Sequence, residues 1–330
     1  MKNVRCLVTG ADGFIGSHLV EELLKQGAKV RALVYYNSEG KWGLLENIKN
    51  LKSHKNLEVV LGDINDPHFC ERLLEDQEII FHLAALIAIP YSYIAPSSYF
   101  QTNVLGTVNL LEAARKAKVK RFLNTSTSEV YGTALYEPMD ENHPQQAQSP
   151  YAASKVGSDK AAMSYFLSFG LPVTIVRPFN NFGPRQSARA VIPTIISQIL
   201  SDKIKKIKLG SLKPVRDYTF ARDSAKAMIK IALTDETIGK VFNIGVGKGY
   251  SIEEIYQMIC KLTNIKKEVI TDDERIRPEK SEVWKLICSN KNLVDLTNWQ
   301  PETTFEEGLR ETIDYIRENL DKYKPEIYNI

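Results

Sequence analysis

The chain is predicted to fold as an α/β protein on a doubly wound parallel sheet, with a smaller, interleaved α/β lobe at its C-terminal side. Three observations carry this. Short apolar runs alternate with helix-period stretches through the first half, the pattern of parallel strands covered on both faces. A glycine-rich turn follows the first run. After Arg177 the alternation is broken by Pro178, Gly183, Pro184, Pro193 and Pro214. At 330 residues the chain can bury one large core and a second, smaller one.

The runs place strands at 5–9, 29–33, 57–61, 79–83, 121–125 and 172–177. A helix over 14–25 puts Ile15, Leu19 and Leu23 on one face, turned to the sheet. Longer helices are predicted over 99–116 and 151–169. Residues 1–177 form the first domain and 178–330 the second lobe, with a strand over 242–244 (return region 241–245) rejoining the main sheet.

Composition narrows the function classes. Hydrophobic content of 43% and charged content of 25% are ordinary for a globular protein, and a net charge of +3 with scattered lysines gives no electrostatic footprint for nucleic acid. Cys6, Cys70, Cys260 and Cys288 have neither disulfide nor metal-ligand spacing, so no metal is expected and the thiols are read as reduced. No stretch has the length of a membrane span, and Met1–Val8 lacks a signal-peptide pattern; the expectation is a cytoplasmic protein.

The turn after the first strand reads Gly10-Ala11-Asp12-Gly13-Phe14-Ile15-Gly16. Gly10 permits the tight turn, Gly13 lets backbone approach a pyrophosphate and Gly16 lets the helix pack near the strand, the Rossmann-type arrangement for NAD or NADP. The helix N-terminus, at Phe14 and Ile15, supplies amides and a positive dipole for phosphate. Asp63 and Ile64 at the third strand's end are candidates for the adenine, and Leu83, Ala84 and Ala85 after the fourth let backbone lie against the cofactor. Asn103 is a candidate bridge between backbone groups there, and Thr125 ends the fifth strand. His82 is read as a satisfied core histidine. The second strand lacks the acid that usually reads a ribose 2′-hydroxyl. Asn37 and Ser38 could donate to a 2′-phosphate, but Arg31 is the nearest arginine, so NAD and NADP stay open.

Tyr151 and Lys155 stand four apart, and Ser149-Pro150 suits a helix start just before them. On one helical face the Lys155 ammonium would favour the Tyr151 phenolate and lower its pKa toward the range of a general base. The spacing alone is common on amphipathic helices. Upstream lies Thr127-Ser128-Glu129.

Thr9-Gly10-x-x-Gly13-x-x-Gly16, the Tyr151/Lys155 pair and the intervening Ser/Thr residues together resemble the extended short-chain dehydrogenase/reductase superfamily over nearly the whole chain. Glu129 makes it look like a nucleotide-sugar 4,6-dehydratase or a sugar-acid decarboxylase, since 4-epimerases need no acid there. The stretches 179–186 and 84–90 resemble the dehydratase versions. Tyr36-Asn37-Ser38 with Trp42-Gly43, and 276–282, are most similar to the N-acetylglucosamine 4,6-dehydratases of legionaminic acid biosynthesis.

The resemblance implies a nucleotide-sugar substrate and a cofactor regenerated each turnover. Tyr151 takes the C4 hydroxyl proton as hydride leaves C4, Thr127 holds that oxygen, and Glu129 takes the C5 proton as water departs from C6. Ser128 positions. It also implies that Arg216 and Arg277 grip the diphosphate, that Arg185 closes the pocket, that Asn180 bonds sugar or phosphate, and that a homodimer forms through a four-helix bundle of the two long helices. A decarboxylase, a 4-epimerase and a non-catalytic sugar-nucleotide sensor are the alternatives.

Overall fold

The computed structural model describes residues 1–328; the last two residues of the predicted second lobe lie outside them. The strands are β1 (Arg5–Thr9), β2 (Lys29–Tyr35), β3 (Leu57–Gly62), β4 (Ile79–His82), β5 (Arg121–Thr125), β6 (Val173–Pro178), β7 (Asn180–Phe182), β8 (Lys206–Leu209), β9 (Val215–Phe220), β10 (Val241–Ile244), β11 (Gly249–Ser251), β12 (Glu268–Thr271) and β13 (Lys285–Leu286). The helices are α1 (Phe14–Lys25), α2 (Pro67–Leu73), α3 (Ile89–Ile94), α4 (Pro96–Phe100), α5 (Gly106–Ala117), α6 (Pro150–Phe169), α7 (Val191–Leu200), α8 (Ala221–Leu233), α9 (Ile252–Thr263), α10 (Lys291–Thr297), α11 (Phe305–Glu318) and α12 (Leu320–Tyr323).

The main sheet has seven parallel strands in the order β10-β6-β5-β4-β1-β2-β3. Chain order reverses beside β1, between β2 and β4, which opens a crevice at the carboxyl ends of those strands. Alternation along β1 explains the two covered faces: Cys6 and Val8 pack with α1 and α8, whereas Leu7 packs with Ile80, Phe122 and residues of α5 and α6. Leu19 and Leu23 of α1 are fully buried, as their spacing predicts, and Ile15 is partly buried against the same core. The predicted return strand is β10, paired in parallel with β6.

A second core gathers Phe182, the isoleucines of α7 and α9, and Leu309, Ile313 and Ile316 of α11. It sits around the smaller sheets, β11-β9-β13 with β7 on β9, and β12 on β8. Among the described residues no helix is long and apolar enough to cross a membrane. The four cysteines are free, three of them buried.

One predicted helix differs. Over 99–116 the structure has α4, a π turn at Gln101–Leu105, and then α5. The widened turn carries Asn103, whose Oδ1 accepts from the Leu86 amide (2.8 Å) while its Nδ2 donates to the Leu86 carbonyl (2.9 Å). Long-range polar bonds of this kind are invisible to helix periodicity, and π turns recur at functional sites.

Candidate active site

The crevice is a cleft of 1340 Å³, larger than the ~300–1,000 Å³ of a typical single-ligand pocket. Its cofactor end is the glycine turn. A Cβ on Gly16 would lie 2.1 Å from the Gly10 carbonyl oxygen, and one on Gly10, at φ +65°, would lie 2.8 Å from the Ala84 amide. Gly13 is the N-cap of α1 and brings no capping side chain, and Gly13, Phe14, Ile15 and Gly16 all line the cleft. This cradle fits a dinucleotide pyrophosphate. Asp63, Ile64, Leu83, Ala84, Ala85 and Thr125 line the same cleft.

Beneath it, Thr9 Oγ1 accepts from the Leu83 and Ala84 amides (both 3.1 Å) and donates to His82 Nδ1 (2.8 Å); His82 Nε2 in turn donates to Thr107 Oγ1 (3.0 Å). Burial holds the His82 pKa down at about 3, with the Lys155 charge adding to the effect. His82 is thus a neutral strut tying β1 to β4 and α5. Asn103 braces the Leu86 loop from below and donates to Ser154 Oγ (2.9 Å).

The second-strand candidates behave differently. Asn37 and Ser38 are not among the cleft-lining residues. Asn37 instead closes its own loop, donating to the Lys41 carbonyl (2.9 Å) and accepting from the Lys41 amide (2.9 Å). Arg31 is tied to Glu58 and to the Leu73 and Glu75 carbonyls. Asp12, Tyr35 and Leu44 line that end of the cleft, and no spacing rule had singled them out.

The reaction end is built by two local motifs. Ser149 Oγ caps α6 by accepting from the Ala152 amide (3.1 Å), with Pro150 in the first turn. Thr127 caps the turn Ser128–Tyr131, its Oγ1 accepting from the Glu129 amide (3.2 Å). Thr127, Ser128, Glu129, Tyr151 and Lys155 all line the cleft, and the Thr127 hydroxyl bonds the Tyr151 phenol.

The expected fall in the Tyr151 pKa is not what this packing produces. Burial pushes the phenol up; the Thr127 hydrogen bond pulls against it, and the charge of Glu129 adds to the rise. Lys155 is itself buried, which brings its pKa down to about 8, while Asp159 opposes that fall. Desolvation therefore outweighs the four-residue pairing read from the sequence.

Sequence reasoning missed what lies behind Lys155. Asp159, one turn further along α6, is buried and bonds Ser126 Oγ (2.9 Å) and both Nε and Nη2 of Arg177 (3.2 and 3.1 Å). Arg177 Nη1 donates to the Tyr131 hydroxyl (2.9 Å), which donates to Asn243 Oδ1 (2.7 Å). The spacing of Asp159 from Lys155 was its one signal.

Of the candidate substrate residues, Asn180, Arg185 and Arg277 line the cleft; Arg216 does not. Arg216 is buried, 3.4 Å from Glu282, and the same Glu282 oxygen lies 3.8 Å from Arg277 Nη1. Arg185, at φ +72°, donates to His18 Nδ1 (2.6 Å) and to Glu21 (2.9 Å) on α1. Burial and the Arg185 charge hold the His18 pKa down at about 3, so the neutral ring can accept that bond. Arg185 thereby anchors the loop after β7 to the cofactor helix. No cluster of His, Cys, Asp and Glu that could hold a metal occurs among the described residues.

Comparison with known proteins agrees with this architecture. Human dTDP-D-glucose 4,6-dehydratase is 31% identical over 326 residues, covering 97% of this chain and 92% of that protein. Among solved structures, the dTDP-glucose 4,6-dehydratase DesIV of Streptomyces venezuelae, with NAD bound, is 29% identical with a TM-score of 0.87, over 98% of this chain and 99% of that one. A UDP-N-acetylglucosamine 4-epimerase from Methanobrevibacter ruminantium is 33% identical at a TM-score of 0.87, over 97% and 100%. The family model of GDP-mannose 4,6-dehydratase matches residues 7–312. That match runs from within β1 to within α11 and takes in both the glycine turn and the second core, so the chain belongs to the GDP-mannose 4,6-dehydratase family.

Proposed function

We propose that the protein is a nucleotide-sugar 4,6-dehydratase using NAD and acting on a GDP- or UDP-linked N-acetylglucosamine-type sugar, the type of substrate that legionaminic acid biosynthesis uses. The observation that carries this reading is Glu129: its carboxylate lines the same cleft as Tyr151 and stands close enough for its charge to act on the phenol. A redox step at C4 needs one base, which the tyrosine supplies. A second base on the same cleft serves removal of the C5 proton.

When bound, NAD supplies the hydride acceptor and later the donor. Tyr151 takes the proton of the C4 hydroxyl, and Thr127 steadies that oxygen. Glu129 takes the C5 proton, acidified by the adjacent carbonyl, and returns a proton to the departing C6 hydroxyl; Ser128 positions. Arg277 meets the diphosphate directly, with Arg216 behind it, and Asn180 bonds the sugar or phosphate. Arginine forks suit phosphate oxygens. Exposed Phe100, Leu105, Leu167 and Phe169 around α4–α6 suit a two-fold dimer through these helices, in a cytoplasmic enzyme.

The test is to incubate the protein with UDP-, GDP-, CDP- and dTDP-linked sugars and weigh the products. Loss of one water is expected. An isomer of equal mass would make it a 4-epimerase, and loss of carbon dioxide a decarboxylase. Glu129→Gln is expected to abolish deuterium incorporation at C5 while reduced cofactor still forms. Removing that negative charge eases phenolate formation, so the first step survives. Normal turnover by the variant would remove Glu129 from the chemistry.

A further inference from the structure

We infer that Asp12, inside the glycine turn, takes the place of the missing acid at the end of β2: it accepts the ribose 2′-hydroxyl and thereby selects NAD over NADP. The inference rests on the reading that the cleft holds a nicotinamide dinucleotide.

In doubly wound sheets that hydroxyl is read at the carboxyl end of the second strand, by an Asp or Glu borne on the strand itself. Here β2 ends in Tyr35 and is followed by Tyr36, both about two-thirds exposed, and neither can serve as an anionic acceptor. Asp12 reaches the same place from the neighbouring turn, for its carboxylate accepts from the Tyr35 backbone amide. It lines the cleft together with Tyr35 and Leu44.

The position of Asp12 is held from several sides. The Ala11 amide donates to the Leu33 carbonyl on β2 (3.1 Å), and the Leu44 amide donates to the Asp12 carbonyl (3.0 Å). Gly43, at φ +59°, permits this closeness, since a Cβ there would lie 2.8 Å from the Asp12 Cβ. The loop after β2 thus folds onto Asp12 and leaves the side chain half-buried, facing the cleft. Burial raises its pKa, whereas its own amide and that of Tyr35 favour the carboxylate.

The surroundings offer little to a 2′-phosphate. Arg31 is spent on Glu58 and two carbonyls, and Asn37 on its own loop. Lys322 lines the cleft together with Leu44 and Asn47, and its ammonium bonds the side-chain oxygens of Asn47 (3.3 Å) and Asn319 (2.8 Å). A phosphate dianion beside the Asp12 carboxylate would add like-charge repulsion to a lost hydrogen bond.

The test is binding rather than turnover: calorimetric titration of the full-length protein with NAD and with NADP. The parent should bind NAD much more tightly. Asp12→Asn should cut the NAD:NADP preference by roughly 10–100-fold, the span of one hydrogen bond to a charged group. Asp12→Ser, which removes the carboxylate but keeps a hydrogen-bond acceptor, should behave alike; a merely structural role would weaken both cofactors equally and leave the ratio unchanged. An unchanged ratio in both variants overturns the inference. So does a parent that binds NADP as well as NAD, or a Lys322→Gln change that selectively weakens NADP. A parent that binds neither dinucleotide overturns the reading of the cleft itself.

Discussion

Tyr151→Phe is expected to lower turnover by about 10²–10⁴-fold, the usual contribution of a positioned general base, while NAD affinity and folding stay close to the parent's. The phenol is buried and its hydroxyl bonds Thr127, so the substitution removes one polar contact and no packing volume. The loss should lie in kcat, because the proposed role of Tyr151 is at the reacting oxygen. Burial holds the proton on this phenol, and Glu129 adds to that hold; in the proposed role the charged Lys155 ammonium, one turn along α6, is the group that would favour the phenolate. The parent should therefore lose activity as pH rises past the Lys155 pKa of about 8. A Tyr151→Phe enzyme within tenfold of the parent, measured by product formation under saturating sugar nucleotide, would assign the proton to another group.

Asp159→Asn is expected to cost about 3–5 kcal/mol of stability, the usual penalty for stranding one member of a buried ion pair, here Arg177. Both side chains are almost fully buried and 3.1 Å apart. Asp159→Leu combined with Arg177→Met should recover much of that loss, since removing both charges also removes their desolvation. Denaturant unfolding of the three proteins decides it, and equal stability of the single variant and the parent would show the pair to be idle. The catalytic effect has a definite sign. The Asp159 charge raises the Lys155 pKa against burial, so its removal lowers that pKa further. The alkaline limb of the kcat/KM profile should move to lower pH in Asp159→Asn. A limb that stays in place would leave Asp159 a purely structural residue.

Much of the site was legible in the chain because its parts are local. The glycine spacing, the Ser149-Pro150 start of α6 and the Tyr151/Lys155 separation each act through a few consecutive residues, and each stands in the structure as its spacing predicts. The strand alternation was equally readable, with bounds shifting by a residue or two: β2 runs to Tyr35 rather than 33, and β6 spans Val173–Pro178. The π turn was not readable, since the bonds that accompany it, from Asn103 to Leu86, are long-range contacts that helix periodicity does not carry. Nor were the placements of Asn37, bonded within its own loop, and of Arg216, turned to Glu282 instead of the cleft.

By itself the sequence determined the doubly wound class, the cofactor turn, and the set of hydroxyl, acid, phenol and amine that could carry a redox step and an elimination. Those properties depend on residue type and short spacing, which packing does not alter. The tertiary structure alone decided how each group is charged and what it faces. It put Tyr151 in a buried site that raises its phenol, set Asp159 and Arg177 behind Lys155, and brought Asp12 to the end of a strand that carries no acid. Desolvation and the distance between charges are set by which distant segments close around a residue, and that is decided only when the chain has folded.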